Sequence, residues 1–511
     1  MGSTDFDAIV IGAGSAGSVI ARRLVDAGQK VAVIEAGGHD TNPVIGNVAE
    51  AGALWRGPED WDYTTTEQVG CGGRELRLPR GKVMGGSHAL NATIWVRGAE
   101  QDFNTWAYMG CPGWGWDDVL PVFKAIENFD GGDSATRGTS GPLDVVGEFP
   151  MNPVQKSILK GAQEIGLELN EDYNSGDVEG VSKMQLNVRD GKRFNTWHAY
   201  LKPVADRENL TILTETHVRR LLVEEGRAVG VIVEQEGIEK TFRAAETILT
   251  AGAIGTPELL LRSGIGPAAE LLDIGVETVH DLPGVGKNLH DHLLSPVIFG
   301  TQKPVPTPEV AAAETHLFWK SSPDLAVPDT QPINFSLPMY FLDSMSGPDN
   351  GFSLVAGIVR PFSRGEIRLS GPNPEDPLLI DLGALSDQSD VDALVASVRQ
   401  CREIGRTKSL AEWGPTEIYP GPDVSDDDAD LEQYVRDTAV TYHHQVGTSR
   451  MGLDAMAVVD PRSFEVHGLS GVRIADASII PLIPTGNTNA PTIMIAERAA
   501  AVIIDQLKER V

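Results

Sequence analysis

Three sets of residues in this sequence are of types that handle phosphates, flat rings and protons. The first is Gly12-x-Gly14-x-x-Gly17 with Glu35 at the end of the apolar run Val31-Ala-Val-Ile-Glu35. Gly12 permits a tight turn, Gly14 lets backbone approach a pyrophosphate, and Gly17 lets a helix pack close to a strand. A helix N-terminus behind such a turn offers free N–H groups to phosphates, and a carboxylate about twenty residues further on can accept from a ribose. These residues predict a bound dinucleotide but do not separate NAD from FAD. The second set is Gly81, Gly85 and Gly86 with Asn91. The glycines give the backbone freedom that a chain needs when it lies against a flat ring, and an amide suits the ring's polar edge because it both donates and accepts. The third set is imidazoles, His443-His444 and His290-Asp291-His292. Imidazole exchanges a proton near neutral pH. A metal is not expected at residues 290–292, because adjacent side chains seldom converge on one ion and no ligand spacing recurs. That triplet is read as structural.

These groups need elements to hold them. Ala8 to Ile11 reads as a buried parallel strand and Ser15 to Ala27 as a helix closed by Gly28. Leu210–Leu213, Val218–Val223 and Val229–Gln235 alternate in strand fashion between Glu-Gly turns, which predicts an antiparallel meander inserted in the nucleotide fold. After Glu246–Thr250 the expected helix starts with Thr256 as N-cap and Pro257 as its first residue. Phe352–Val359 and Gly365–Leu369 read as strands, and Asp390–Thr407 as a helix. A closing helix is expected from Pro491, with Ile493, Ala496, Ala500, Ile503, Ile504 and Leu507 on one face. The fold class is therefore α/β: a Rossmann-like domain with an inserted antiparallel sheet, and an α+β substrate domain.

An apolar content of 41% with 22% charged residues describes a globular chain. A formal charge of −30 disfavours nucleic acid and anionic membranes. Cys71, Cys111 and Cys401 are odd in number and far apart, which suggests no disulfide framework and no thiolate metal site. No apolar run approaches membrane-spanning length and the first strand begins too early for a signal peptide, so a cytoplasmic enzyme is expected.

Gly81-Lys-Val-Met-Gly-Gly-Ser-x-x-Leu-Asn91 resembles the first signature of the glucose-methanol-choline (GMC) oxidoreductases, and Gly252 through Gly266 resembles the second. The stretch from Asp102, with Gly113-Trp-Gly-Trp-Asp-Asp-Val-Leu-Pro-Val-Phe123, is also similar to that family. Tyr442-His-His-Gln-Val-Gly-Thr-Ser-Arg-Met-Gly452 resembles its His-x-x-Gly-Thr-x-x-Met-Gly active-site segment. The resemblance implies that the dinucleotide is FAD. It implies binding by Gly12, Gly14, Ser15, Ala16, Gly17, Glu35 and Ala36, then by Val83, Gly86, Asn91, Ala92, Thr93 and Ile94. It adds the backbone of Val218 at the adenine, Ala251, Asp476 and Ala477, and Thr488 and Asn489 at the ring. It makes His444, with a pKa near neutrality, the catalytic base and Asn487 its partner, acting on an alcohol that loses its hydride to flavin N5. Members with covalent flavin carry a histidine immediately before the asparagine, a position that is Leu90 here. His88 stands three residues before Asn91, so non-covalent FAD is expected. Glu314 falls near where choline oxidases place a carboxylate, but it is read as a surface glutamate. The FAD-binding segments are drawn at 1–151, 193–292 and 440–511, and the substrate-domain segments at 152–192 and 293–439. Expected partners are a small alcohol and either O2 or another acceptor such as a quinone, with a homodimer left open. A hydroxynitrile lyase on the same fold is the alternative.

Overall fold

The computed structural model describes residues 5–509. The first apolar run forms β1 (Phe6–Ile11), buried from Ala8 onward. The chain turns at Gly12, where φ is +96°, into α1 (Ser15–Asp26), whose face of Ala16, Val19, Ile20 and Leu24 is buried. Gly28 follows with φ +83°, the left-handed residue that commonly ends a helix. β2 (Val31–Ile34) then pairs in parallel with β1, completing the expected strand–helix–strand unit.

The next strand departs from expectation. β3 (Leu210–Leu213) is not part of a meander; it lies parallel to β2 with Leu210 opposite Val31, at the edge of the nucleotide sheet. Asn209 sets that register, its amide donating to the Val25 and Gln29 carbonyls at the α1–β2 corner. The meander proper is β4 (His217–Glu224), β5 (Arg227–Gln235) and β6 (Ile238–Leu249), antiparallel throughout. Its two-residue turns, Glu225-Gly226 and Glu236-Gly237, have positive φ at both positions, as tight hairpins require. β6 belongs to both arrangements. Ile238–Arg243 pairs with β5, whereas Ala244–Leu249 runs parallel to β1.

α2 (Gly252–Arg262) begins four residues before the expected Thr256 cap. The cap comes instead from Asp476, whose carboxylate accepts from the Gly252 N–H at 2.8 Å and the Thr256 hydroxyl at 2.6 Å. Pro257 therefore sits inside the helix and has no N–H to give the Ala253 carbonyl. The Thr448 hydroxyl takes that place, donating to the Ala253 oxygen at 2.7 Å.

The second seven-stranded sheet is antiparallel. Its members are β7 (Leu293–Thr301), β8 (Ala313–Phe318), β9 (Ile333–Phe335), β10 (Gly351–Ile358), β11 (Pro415–Tyr419) and β12 (Val440–Thr441). The order is β11–β7–β10–β9–β8, followed by Gly180–Lys183, with β12 pairing the start of β7. α3 (Gln388–Gly405) covers one face, burying Val391, Leu394, Val395, Val398 and Ile404 at helical spacing. The chain then returns to the nucleotide sheet. β13 (Val472–Ile474) joins β6 in parallel. α4 (Asn489–Glu509) lies along α1 and starts two residues before Pro491. Arg23 and Glu497 bridge the two helices with bonds of 2.8 and 2.7 Å. Among the described residues no helix is long and apolar enough to cross a membrane.

Candidate active site

One cavity of about 660 Å³ runs from the Gly12 turn to the inner end of the second sheet. Gly12, Gly14, Ser15, Ala16, Glu35, Ala36 and Val218 line it toward β1 and β4. Gly86, Asn91, Ala92 and Ile94 line its middle, with Ala251, Asp476, Ala477, Thr488 and Asn489 opposite. Three residues expected at the cofactor do not line it. A Cβ at Gly17 would sit 1.8 Å from the Gly12 carbonyl oxygen, so Gly17 brings α1 against the turn. Val83 is buried in a small core behind the loop and bridges Gly38. Thr93 is fully buried at φ +59°, its N–H held by Asn91 Oδ1 at 2.9 Å.

The lining suits an extended dinucleotide that ends in a flat ring. A Cβ on Gly86 would come 2.7 Å from Gly14 Cα, so the two glycine-bearing segments meet with no room for a side chain. α1 has no side-chain cap, leaving its first N–H groups for an anion. The two Glu35 oxygens accept from the Ala13 and Gly37 N–H groups, each at 2.9 Å, which leaves a lone pair on each for a ribose hydroxyl. Asn489 accepts from the Ser15 hydroxyl at 2.6 Å, while its own amide nitrogen is buried without a partner. Asp476 differs in kind. Its carboxylate is occupied by Gly252, Thr256 and Ser478, so it fixes the ends of two elements.

At the far end the structure brings together residues that lie far apart in the chain. Asn487 Nδ2 lies 3.1 Å from His444 Nε2, and Gln331 Nε2 donates to Asn487 Oδ1 at 3.2 Å. An amide nitrogen only donates, so His444 Nε2 is the acceptor of that pair. Its Nδ1 then carries the proton of the neutral ring and donates to His292 Nδ1 at 3.0 Å. Burial keeps His292 neutral, with its pKa pushed down to about 3. The His444 pKa, expected near neutrality, is instead held well below the ordinary histidine range, first by burial and then by the nearby His292, His443 and Arg80. The Tyr442 ring stacks on His444 with centroids 4.5 Å apart. Asp291 accepts the His444 backbone N–H at 2.7 Å and also the Gln445 amide, and burial raises its pKa to about 6.

The structural reading of residues 290–292 therefore holds for His290, whose ring accepts from the Ile483 N–H, but understates Asp291 and His292. Glu314 is not on the surface. It is fully buried in β8, accepts the Asn152 N–H at 2.6 Å and does not line the cavity. His88 is buried outside the lining. Reasoning from sequence missed His292, Gln331 and His316, whose Nδ1 lies 3.3 Å from Gln331 Nε2. No local pattern marks Gln331. Among the described residues no group of three His, Cys, Asp or Glu side chains could hold a metal.

The sequence pattern of the GMC oxidoreductases matches residues 6–294 in its N-terminal part and 361–496 in its C-terminal part. The chain belongs to the GMC oxidoreductase family. Its GMC relatives include an alcohol dehydrogenase (acceptor) of Pseudomonas putida, 38% identical over 98% of this chain and 96% of that protein. An oxygen-dependent choline dehydrogenase of Rhizobium etli is 36% identical over 98% of this chain and 95% of its own length. Among solved structures, pyridoxine 4-oxidase from Mesorbium loti superposes with a TM-score of 0.92 at 35% identity, covering 97% of this chain and 98% of that one. The mixed α/β architecture is thus the GMC fold.

Proposed function

We propose that this GMC oxidoreductase oxidises an alcohol to an aldehyde or ketone, with non-covalently held FAD. The observation that carries the reading is His444 Nε2. It is an unprotonated acceptor beside Asn487, at the end of the same cavity that the glycine turn and Asn489 line. When bound, FAD supplies the acceptor for the hydride leaving the carbinol carbon. His444 Nε2 takes the hydroxyl proton, and the Asn487 amide swings its donor from that nitrogen to the developing alkoxide. The hydride carries both electrons the alcohol loses, and the proton passed to His444 completes the loss of two hydrogens. His292 holds the ring in the tautomer that leaves Nε2 free, Tyr442 restricts its rotation, and burial keeps it neutral.

Non-covalent binding is supported by Leu90 in the position before Asn91 and by His88 lying outside the lining. Three buried free thiols suit a reducing compartment such as the cytoplasm. The relatives' names include both an oxygen-dependent and an acceptor-dependent enzyme. A peroxide assay run beside dye reduction assigns the electron acceptor here.

The test is His444→Ala. With FAD content unchanged, anaerobic flavin bleaching by an alcohol should slow by about 10²–10⁴-fold, the usual weight of a general base. An unchanged rate removes His444 from the role, and substrate lost while the flavin stays oxidised would point to lyase chemistry.

A further inference from the structure

We infer that the alcohol is uncharged and carries its hydroxyl at one end of an apolar chain or ring. This rests on the alcohol-oxidation reading above and names its substrate class. The cavity segregates charge along its length. Toward the nucleotide end, Glu258 pairs with Arg262 at 2.9 Å and Arg219 with Glu234 at 2.9 Å, while Glu35 is tied to backbone N–H groups. Toward His444 the wall changes character. Val48, Leu294 and Ile333 line it, are buried and belong to one apolar cluster, against which Phe335 also packs. At the rim, Leu337, Met339 and Phe341 from the segment after β9 face the segment that carries Val48 and Trp55. These three are half-buried, so apolar side chains dominate the way in toward the imidazole.

A cation finds no buried counter-charge on that path. Glu314, the carboxylate with the strongest claim to a cationic head group, accepts the Asn152 N–H inside β8 and lies off the cavity. Glu50 lines the cavity but is exposed, so water screens it. The cation nearest the reacting groups is Arg80, which donates to the Pro79 and His443 carbonyls and faces Asp291. An incoming ammonium would meet that guanidinium, and the Asp291 carboxylate facing it is already taken up by the His444 and Gln445 N–H groups. An incoming carboxylate would have to displace bonds Arg80 already makes and shed its water against Leu294 and Ile333. An alkyl chain or aryl ring gains at each step by leaving water.

The experiment uses the FAD-loaded protein and reads anaerobic flavin reduction by 1-butanol, 1-hexanol, 1-octanol, benzyl alcohol, choline and glycolate. kcat/KM should rise about fourfold per added methylene, equivalent to ~0.8 kcal/mol, with choline and glycolate at least 100-fold below hexanol. Binding is read separately from the flavin difference spectrum. 2-Methyl-2-octanol, which has no carbinol hydrogen to lose, should bind far more tightly than tetramethylammonium. Met339→Glu at the rim should cost octanol more than butanol. Choline matching hexanol, or tetramethylammonium binding more tightly than the tertiary alcohol, overturns the substrate class and leaves alcohol oxidation intact. Tight tertiary-alcohol binding without flavin bleaching by any primary alcohol does the reverse.

Discussion

His292 acts on the reaction through another ring. Its Nδ1 receives the His444 Nδ1 proton at 3.0 Å, so a substitution can separate packing from positioning. His292→Leu keeps most of the volume but leaves a buried N–H unpaired, and kcat should fall about 10- to 100-fold. His292→Asn restores an acceptor and should recover part of that loss, which a purely space-filling residue would not do. The wild-type pH profile is the companion readout. His444 loses function by gaining a proton and its pKa is held low, so kcat/KM should stay level as pH falls through 6.5. An acid limb centred at 6.5 in the wild type would place His444 in ordinary solvent. At this scale the sequence was legible where chemistry is local. His444, Asn487 and the glycine turn stand in short motifs whose neighbours announce them. Gln331, His316 and His292 reach the site from the stretch before β9, from β8 and from the residue just before β7, and only the sheet's register brings them within hydrogen-bond distance. Linear spacing carries no record of that.

Among the elements, α2 shows how a local rule yields to a distant partner. Thr256-Pro257 reads as a helix start, yet Asp476 caps four residues earlier and Thr448 satisfies the carbonyl that Pro257 strands. Thr448 is fully buried. Thr448→Val keeps the shape and removes the donor, so unfolding free energy should drop by about 1–3 kcal/mol. Thermal or urea unfolding measures it, and an unchanged midpoint would mean that Pro257 is relieved in another way. β3 makes the same point about strands. Leu210-Thr-Ile-Leu213 has the alternation of a strand, but direction and partner came from Asn209 and the α1–β2 corner. Where turn chemistry is strong, as at Glu225-Gly226 and Glu236-Gly237, pairing was legible; where the connection is long, it was not.

For the molecule as a whole, seven histidines among the described residues are held neutral by burial. His88, His292, His316 and His443 are pushed down to about 3 and His217 to about 4, with His290 and His444 also well below their usual range. Unfolded, each would titrate near about 6.5. As pH falls through that value the unfolded chain takes up protons that the native one refuses, so stability declines by up to about 1.4 kcal/mol per pH unit for each group. Asp291 and Glu314, raised to about 6, work in the opposite direction, because the native state binds their protons first. Glu35, Asp102, Asp390 and Asp476 are also raised and add to that offset as pH falls further. The histidines lead between pH 7.5 and 6, where the melting temperature seen by calorimetry should therefore fall. A flat or rising value across that interval would contradict their buried neutral state.

The bond between Ser15 and Asn489 spans 474 positions. On a ribosome adding about 5–20 residues per second, the glycine turn emerges roughly half a minute or more before the amide that closes over it. The rest of α4, which braces α1, emerges later still. Loading with dinucleotide is thus an event of the finished chain, and a nascent or prematurely stopped polypeptide exposes its first sheet to chaperones with nothing to seal it.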